Sequence, residues 1–356
     1  MSTSDPLPLD QPNNPQRRNI PIHRKILYSV VVVGIVFICG ELASRLIIAA
    51  TPNARWRFHE NIVKTVGFGE LNDILEPHPK RFWRVRPNID RKILRGRILD
   101  SAPMAFTVST DDAGHRRMAE VSGANQTVLF LGDSCTFGIS VNDEETFSAL
   151  LQDRIDGLQC INAGVPGYST FQGRVTLEDM PFDSVPDVVV ISFLFNDEAP
   201  WDGLSDHEHA RQLAQEQARL IPRSRLMTLL ASLKPHPKND NQQTQRPRLT
   251  DLEYADELQR IVGRCRSMGS QTILMIWPMI WQMNDTHPIG KQNVTRQMAD
   301  AEDVLLIDLV SLFRSHGAER LFADVVHANA EGHQIVAGRL ESVLRENSRA
   351  RVAKQK

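Results

Sequence analysis

The run Val128-Leu129-Phe130-Leu131-Gly132-Asp133-Ser134 carries a strand-forming apolar stretch into a turn that leaves a serine hydroxyl at its tip. In an α/β protein, a buried parallel strand ending this way delivers a reactive side chain to the carboxyl edge of the sheet. A hydroxyl alone is a poor nucleophile. It needs a base, a carboxylate to orient that base, and donors for a developing oxyanion. Far downstream, Asp324-Val325-Val326-His327 supplies the two missing residue types. An Asp and a His three residues apart, on a loop entering a helix, can both point toward one site. There the imidazole takes the serine proton and returns it to the leaving group. Cys135 is the competing nucleophile at the same turn. Gly132 to Gly138 lacks the Gly-Lys-Ser/Thr ending of a phosphate-binding loop, which sets nucleotide binding aside.

The elements that must position these groups alternate between strand and helix. Strand 127–132 precedes a helix over about 143–156. Strand 160–164 leads through Val165-Pro166-Gly167-Tyr168 into a helix over about 169–180, and 187–194 is a fully apolar strand. Beyond an excursion at about 199–249, Leu252 to Met268 is an amphipathic helix and 272–277 a fourth strand. Residues 304–308 make a fifth strand, and a last helix covers about 329–346. This alternation predicts an α/β three-layer sandwich, a central parallel sheet with helices on both faces. The excursion turns strongly polar from Lys234 to Arg248 and is read either as a lid or as a plain surface loop.

Upstream, residues 1–25 are rich in Pro, Asn, Ser and charge and read as a disordered tail. Residues 26–50 form an apolar stretch about long enough to cross a bilayer, which takes roughly 20 residues. A single-pass signal-anchor is the favoured reading. A cleaved signal peptide, with Ile48-Ala49-Ala50 as its small-residue site, and a buried core helix are the others. Ile38 before Cys39 argues against a lipoprotein anchor. Glu41 and Arg45 interrupt the stretch at i, i+4 and can pair on one helix face. The flanking charges, Arg17, Arg18, Arg24 and Lys25 against Arg55, Arg57 and Lys64, slightly favour a catalytic domain on the extracytoplasmic side. Residues 51–125 are expected to be a connection and a small β-rich appendage, residues 126–346 the catalytic domain, and 347–356 a tail.

Of the 356 residues, 41% are hydrophobic and 24% charged, with a formal net charge of -2. That balance argues against a nucleic-acid binder, which usually carries a basic face, so no nucleic-acid partner is expected. The four cysteines, Cys39, Cys135, Cys160 and Cys265, do not read as a disulfide framework. At most, Cys160 and Cys265 could pair.

Gly132-Asp133-Ser134, Gly164, Asn196-Asp197 and Asp324-Val325-Val326-His327, in this order and each at a strand end or following loop, resemble the blocks of the SGNH (GDSL-type) hydrolases. The resemblance covers about residues 126–346 and implies a flavodoxin-like sheet. It implies Ser134 as nucleophile, His327 as base and Asp324 as its orienting carboxylate. The oxyanion hole would use the Ser134 N–H, the Gly164 N–H and the Asn196 side-chain amide, Gly164 suiting that role because it lacks Cβ. One departure stands out: the family's glycine two positions before the Asn is Leu194 here, a side chain that would narrow the pocket or shift the loop. Singly, each motif also has a plain reading as a strand-end turn or a loop leading into a helix. Asp133 is expected to hold the nucleophile turn, His333 to be a packing or surface histidine, and Trp277 to pack in the core, with Trp281 open.

The expected function is a membrane-anchored serine esterase acting through an acyl-enzyme on a glycan O-acyl group or a lipid ester. No metal or organic cofactor is implied. The rivals are an O-acyltransferase with the same triad and a non-catalytic glycan-binding module.

Overall fold

The computed structural model describes residues 21–50, 69–96, 104–181, 185–200, 203–218, 224–232, 246–284 and 289–354. Most of the expected tail at 1–25, residues 51–68 of the connection and most of the polar end of the excursion lie outside the described residues.

In chain order the elements begin with α1 (Ile22–Ala50) and two hairpins, β1 (Leu75–His78) with β2 (Phe82–Val85) and β3 (Lys92–Gly96) with β4 (Met104–Val108). Then follow β5 (Gln126–Gly132), α2 (Ser134–Phe137), α3 (Phe147–Arg154), β6 (Leu158–Asn162), α4 (Thr170–Asp179), β7 (Val188–Ser192) and α5 (Phe195–Glu198). The excursion contributes α6 (Asp206–Gln217) and α7 (Arg225–Ser232). The chain closes with α8 (Asp251–Met268), β8 (Gln271–Ile276), α9 (Gly290–Glu302), β9 (Leu305–Asp308), α10 (Leu309–His316) and α11 (Ala330–Lys354). The last helix continues through most of the expected 347–356 tail. The chain divides into two compact units, residues 1–51 with 223–234, and residues 52–222 with 235–356.

In the larger unit, β5 to β9 form one sheet in the order β6-β5-β7-β8-β9, with every pairing parallel. Alternation along each strand sorts its side chains onto two faces. Leu129 and Leu131 of β5 and Val189 and Ile191 of β7 join a core closed by α4 and α8. Val128 and Phe130, with Val188 and Val190, join the opposite core under α3, α10 and α11. The result is the three-layer α/β sandwich, and both strand faces are apolar because both are covered by helices. Helix ends follow local chemistry. Thr250 caps α8 by accepting from Glu253 N, with Glu253 reaching back, and Gly269 closes it in the left-handed region at φ 81°.

The hairpins extend the first core. Phe82 stacks on Phe171 of α4 with ring centroids 5.9 Å apart. The Trp83 indole N–H donates to Pro166 O at 2.9 Å, and the Tyr168 hydroxyl donates to Trp83 O at 2.6 Å. The β-rich segment is therefore bonded to the loop that follows β6. All four cysteines are free, and Cys160 and Cys265 lie in opposite cores, on opposite faces of the sheet.

In the smaller unit, Ile22–Ile47 of α1 is a span of 26 residues long and apolar enough to cross a membrane. Arg45 Nε and Glu41 Oε1 pair at 3.0 Å across one helical turn.

Candidate active site

In a parallel sheet of this order the connections leave in opposite directions from β5 and β7, which opens a crevice at their carboxyl ends. Ser134 follows β5, Asn196 follows β7, and the loop carrying Asp324 and His327 reaches the same edge.

Ser134 is the first residue of α2, a single turn that β5 enters directly. The Asp133 side chain caps it, Oδ1 accepting from Cys135 N at 2.9 Å. Gly138 ends it in the left-handed region at φ 84°. Gly132 is required sterically, since a Cβ there would lie 2.6 Å from Ser192 O of the adjoining strand.

The Ser134 Oγ and His327 Nε2 are 2.8 Å apart, and His327 Nδ1 and Asp324 Oδ2 are 2.6 Å apart. Asp324 Oδ1 also accepts from Val326 N at 2.8 Å and His327 N at 2.7 Å. Burial works to raise the Asp324 carboxyl, but the hydrogen bonds from the His327 ring and from these two backbone N–H groups outweigh it, so the group is held below its ordinary value. An ionised Asp324 can only accept. Nδ1 therefore carries the ring proton, and Nε2 is left to accept from the serine hydroxyl. The structure thus brings Ser134, His327 and Asp324 into one hydrogen-bonded chain.

Cys135 points elsewhere. Its thiol donates to Val326 O at 3.7 Å, and burial together with the charges of Asp133 and Asp324 pushes its pKa well up. It is an inert thiol that packs against the histidine loop.

The donors expected of Ser134, Gly164 and Asn196 are engaged differently. The Ser134 N–H sits at a helix start, where no intrahelical acceptor exists. The Gly164 N–H donates to Asn162 Oδ1 at 3.1 Å. A Cβ on Gly164 would come within 2.3 Å of Phe137 N, so packing against α2 demands the glycine. The Asn196 amide donates to Asp133 Oδ2 at 3.2 Å and to Tyr168 O at 3.1 Å. Leu194 has an extended backbone at φ 177° and is only 3% exposed in the core, so its side chain turns inward.

Several residues that hold the site lack any signal in a short motif. Arg116 is 1% exposed and donates through Nε to Asp143 at 2.6 Å and through Nη1 to Phe137 O and Gly138 O, both at 3.2 Å. Its Nη2 donates to Thr107 O at 2.8 Å and Val141 O at 3.0 Å. The guanidinium clamps the end of the nucleophile turn to β4. Asn162 donates to Thr136 O at 2.8 Å and Ser148 Oγ at 2.9 Å, fixing the same turn from β6. Trp277 is buried, and its indole donates to Val326 O at 2.8 Å, which ties the histidine loop to β8. Trp281 is 46% exposed. His333 is buried, neutral because burial lowers its pKa to about 3, and accepts from Phe147 N at 3.0 Å.

A family model, the GDSL-like Lipase/Acylhydrolase family, matches residues 130–335. No curated protein matches the chain. Among solved structures, a lipolytic protein of the G-D-S-L family from Veillonella parvula is 16% identical, with 61% of this chain and 97% of that one covered and a TM-score of 0.42. The acetyl xylan esterase AlAXEase is 20% identical, with coverage of 61% and 98% and a TM-score of 0.42. The lipase/acylhydrolase from Enterococcus faecalis is 17% identical, with coverage of 62% and 96% and a TM-score of 0.42. Because the family match spans more than half of the sequence, the chain belongs to the GDSL-like lipase/acylhydrolase family and is a serine-dependent ester hydrolase.

Proposed function

We propose that this protein is a single-pass, membrane-anchored esterase that removes acyl groups through an acyl-enzyme on Ser134, its catalytic unit on the extracytoplasmic side. The observation that carries the reading is the unbroken chain from Ser134 Oγ to His327 at 2.8 Å and from His327 to Asp324 at 2.6 Å. In the first step Ser134 Oγ attacks the acyl carbon while His327 Nε2 takes its proton. The tetrahedral intermediate collapses as the imidazolium protonates the leaving alcohol. Water then attacks the acyl-enzyme, with His327 again holding the proton, and the acid leaves as Ser134 is regenerated.

The oxyanion draws on the Ser134 N–H and competes with Asn162 for the Gly164 N–H and with Asp133 for the Asn196 amide. A full negative charge is a better acceptor than the amide oxygen of Asn162, which favours that exchange. The acyl group is expected on a glycan or a lipid. Transfer to an alcohol other than water would use the same steps.

The test is labelling of the detergent-solubilised full chain with a serine-directed fluorophosphonate, followed by peptide mapping. Adduct on Ser134 that disappears in His327→Ala is the expected result. A folded protein that does not label removes the acyl-enzyme reading. Protease treatment of intact cells tests the orientation, and protection of the carboxy-terminal unit would reverse it.

A further inference from the structure

The charge of Glu41 sits within the apolar span of α1, six residues before its end at Ile47, or about 9 Å at the helical rise per residue. A carboxylate at such a depth is costly unless it is occupied. Glu41 is occupied: it accepts from the Ser224 hydroxyl at 2.8 Å, from Arg225 N at 3.0 Å and from Leu226 N at 3.1 Å. Those groups are the start of α7, whose first N–H groups have no intrahelical acceptor and would be orphaned in hydrocarbon.

The two helices also fit in shape. Gly40 and Ser44 are small residues one turn apart, the spacing that lets helices approach closely within a membrane. Ser44 is buried, and a Cβ on Gly40 would lie 2.9 Å from Leu226 Cδ2. Along the rest of α1, Val30, Val33, Ile35, Val36, Leu42 and Leu46 are all exposed. On α7, Leu226 meets α1, whereas Met227 and Leu230, three residues apart and so on one face, are 57% and 48% exposed.

We propose that residues 224–232 form a second membrane-contacting element. It is a short helix docked on the carboxyl-terminal end of α1, capped by Glu41, with Met227 and Leu230 facing the lipid of that leaflet. The occupant of this face is the bilayer because, among the described residues, Leu42 and Leu46 of α1 at the same depth are likewise exposed apolar side chains. Glu41 then serves as the cap that lets a helix begin inside the apolar layer. In sequence, α7 belongs to the excursion that leaves β7 just after Asn196. The inference rests on the reading of α1 as a retained membrane span.

The test uses the full chain in phosphatidylcholine/phosphatidylglycerol vesicles, carrying Cys39→Ser and Met227→Cys with a nitrobenzoxadiazole label; the other three cysteines are buried. The expected label emission is blue-shifted, quenched by doxyl-labelled lipid and shielded from iodide. Glu41→Leu should abolish that shielding, and Glu41→Gln, whose amide oxygen still accepts, should restore most of it. Gly40→Leu should act like Glu41→Leu. A label quenched by iodide in a chain that resists carbonate extraction would overturn the docked helix and leave the anchor standing. A label shielded from both quenchers would mean a protein surface covers this face, which also overturns the proposal. Release of the chain by carbonate would remove the anchor and the docked helix together.

Discussion

The nucleophile turn, residues 132–138, and the histidine loop, residues 322–329, are joined by the Ser134–His327 and Cys135–Val326 hydrogen bonds but are held by different kinds of contact. The histidine loop is largely self-supporting. Asp324 binds the His327 ring and two backbone N–H groups within three residues, and Ala323 N closes on His327 O at 2.8 Å. Outward, Val326 O accepts from Trp277 and Cys135, and Val325 O accepts from Ile280 N at 2.9 Å. The nucleophile turn draws on distant chain. Arg116 reaches it from beyond β4, Asn162 from β6 and Asn196 from the end of β7. A local carboxylate can shape a loop of a few residues. A one-turn helix with few internal bonds needs outside partners to fix its angle.

This contrast can be broken at either end. The largest effect is expected from Ser134→Ala, which should eliminate turnover of a short chromogenic ester while leaving circular dichroism unchanged; undiminished turnover would remove Ser134 from the chemistry. Asp324→Asn should lower kcat by about 1,000- to 10,000-fold, since the wrong imidazole tautomer then faces the serine. If the histidine loop is locally built, the unfolding midpoint of that variant should move little. Arg116→Ala should do the reverse, costing about 3–5 kcal/mol in denaturant unfolding because Asp143 loses its partner and four carbonyls lose donors. A fully stable Arg116→Ala protein would contradict the long-range clamp.

The smallest of these effects concerns Asp197, which is fully buried and accepts from Thr170 N at 2.8 Å. Burial raises its pKa from 3.8 to about 7, opposed by that hydrogen bond. Because the folded-state value lies above the unfolded one, its contribution is complete below about 4 and is lost as pH rises to about 7. Asp197→Asn should flatten that decline and gain on the order of 2–4 kcal/mol over wild type above neutral pH. An unchanged pH–stability profile would mean that Asp197 is ionised at little cost. Asp133, raised to about 6 by burial, declines over an overlapping window and remains in the variant.

The parallel sheet was legible because its strands are runs such as Val188-Val189-Val190-Ile191, apolar on both faces, punctuated by turn residues. The helix at 251–268 was legible from its amphipathic spacing. Helix α9 was not, since Gly290–Glu302 is polar over most of its surface and buries only Lys291, Gln292, Thr295 and Ala299. Helix α10 follows β9 without a linker, Asp308 capping it by accepting from Val310 N, so the strand's apolar run hid the helix start. The expected helix at 143–156 is broken into a 3-10 turn at Asp143–Glu145 and α3, because Thr146 restarts the helix as its cap.

At the site, residue type and order singled out Ser134, Asp324 and His327, since a reactive serine at a strand end requires a base and its carboxylate, and the resemblance to the SGNH hydrolases added Gly164 and Asn196. Sequence could not say that Arg116, Asn162 and Trp277 hold the loops, because their partners are mostly backbone carbonyls, which no residue type records. Nor could it say that Gly164 and Asn196 are already bonded to Asn162, Asp133 and Tyr168. The chemistry was written in side-chain identity. Distances, the use of each N–H and the burial of each carboxylate came from tertiary structure, because they depend on which distant backbones the sheet and its covering helices bring together.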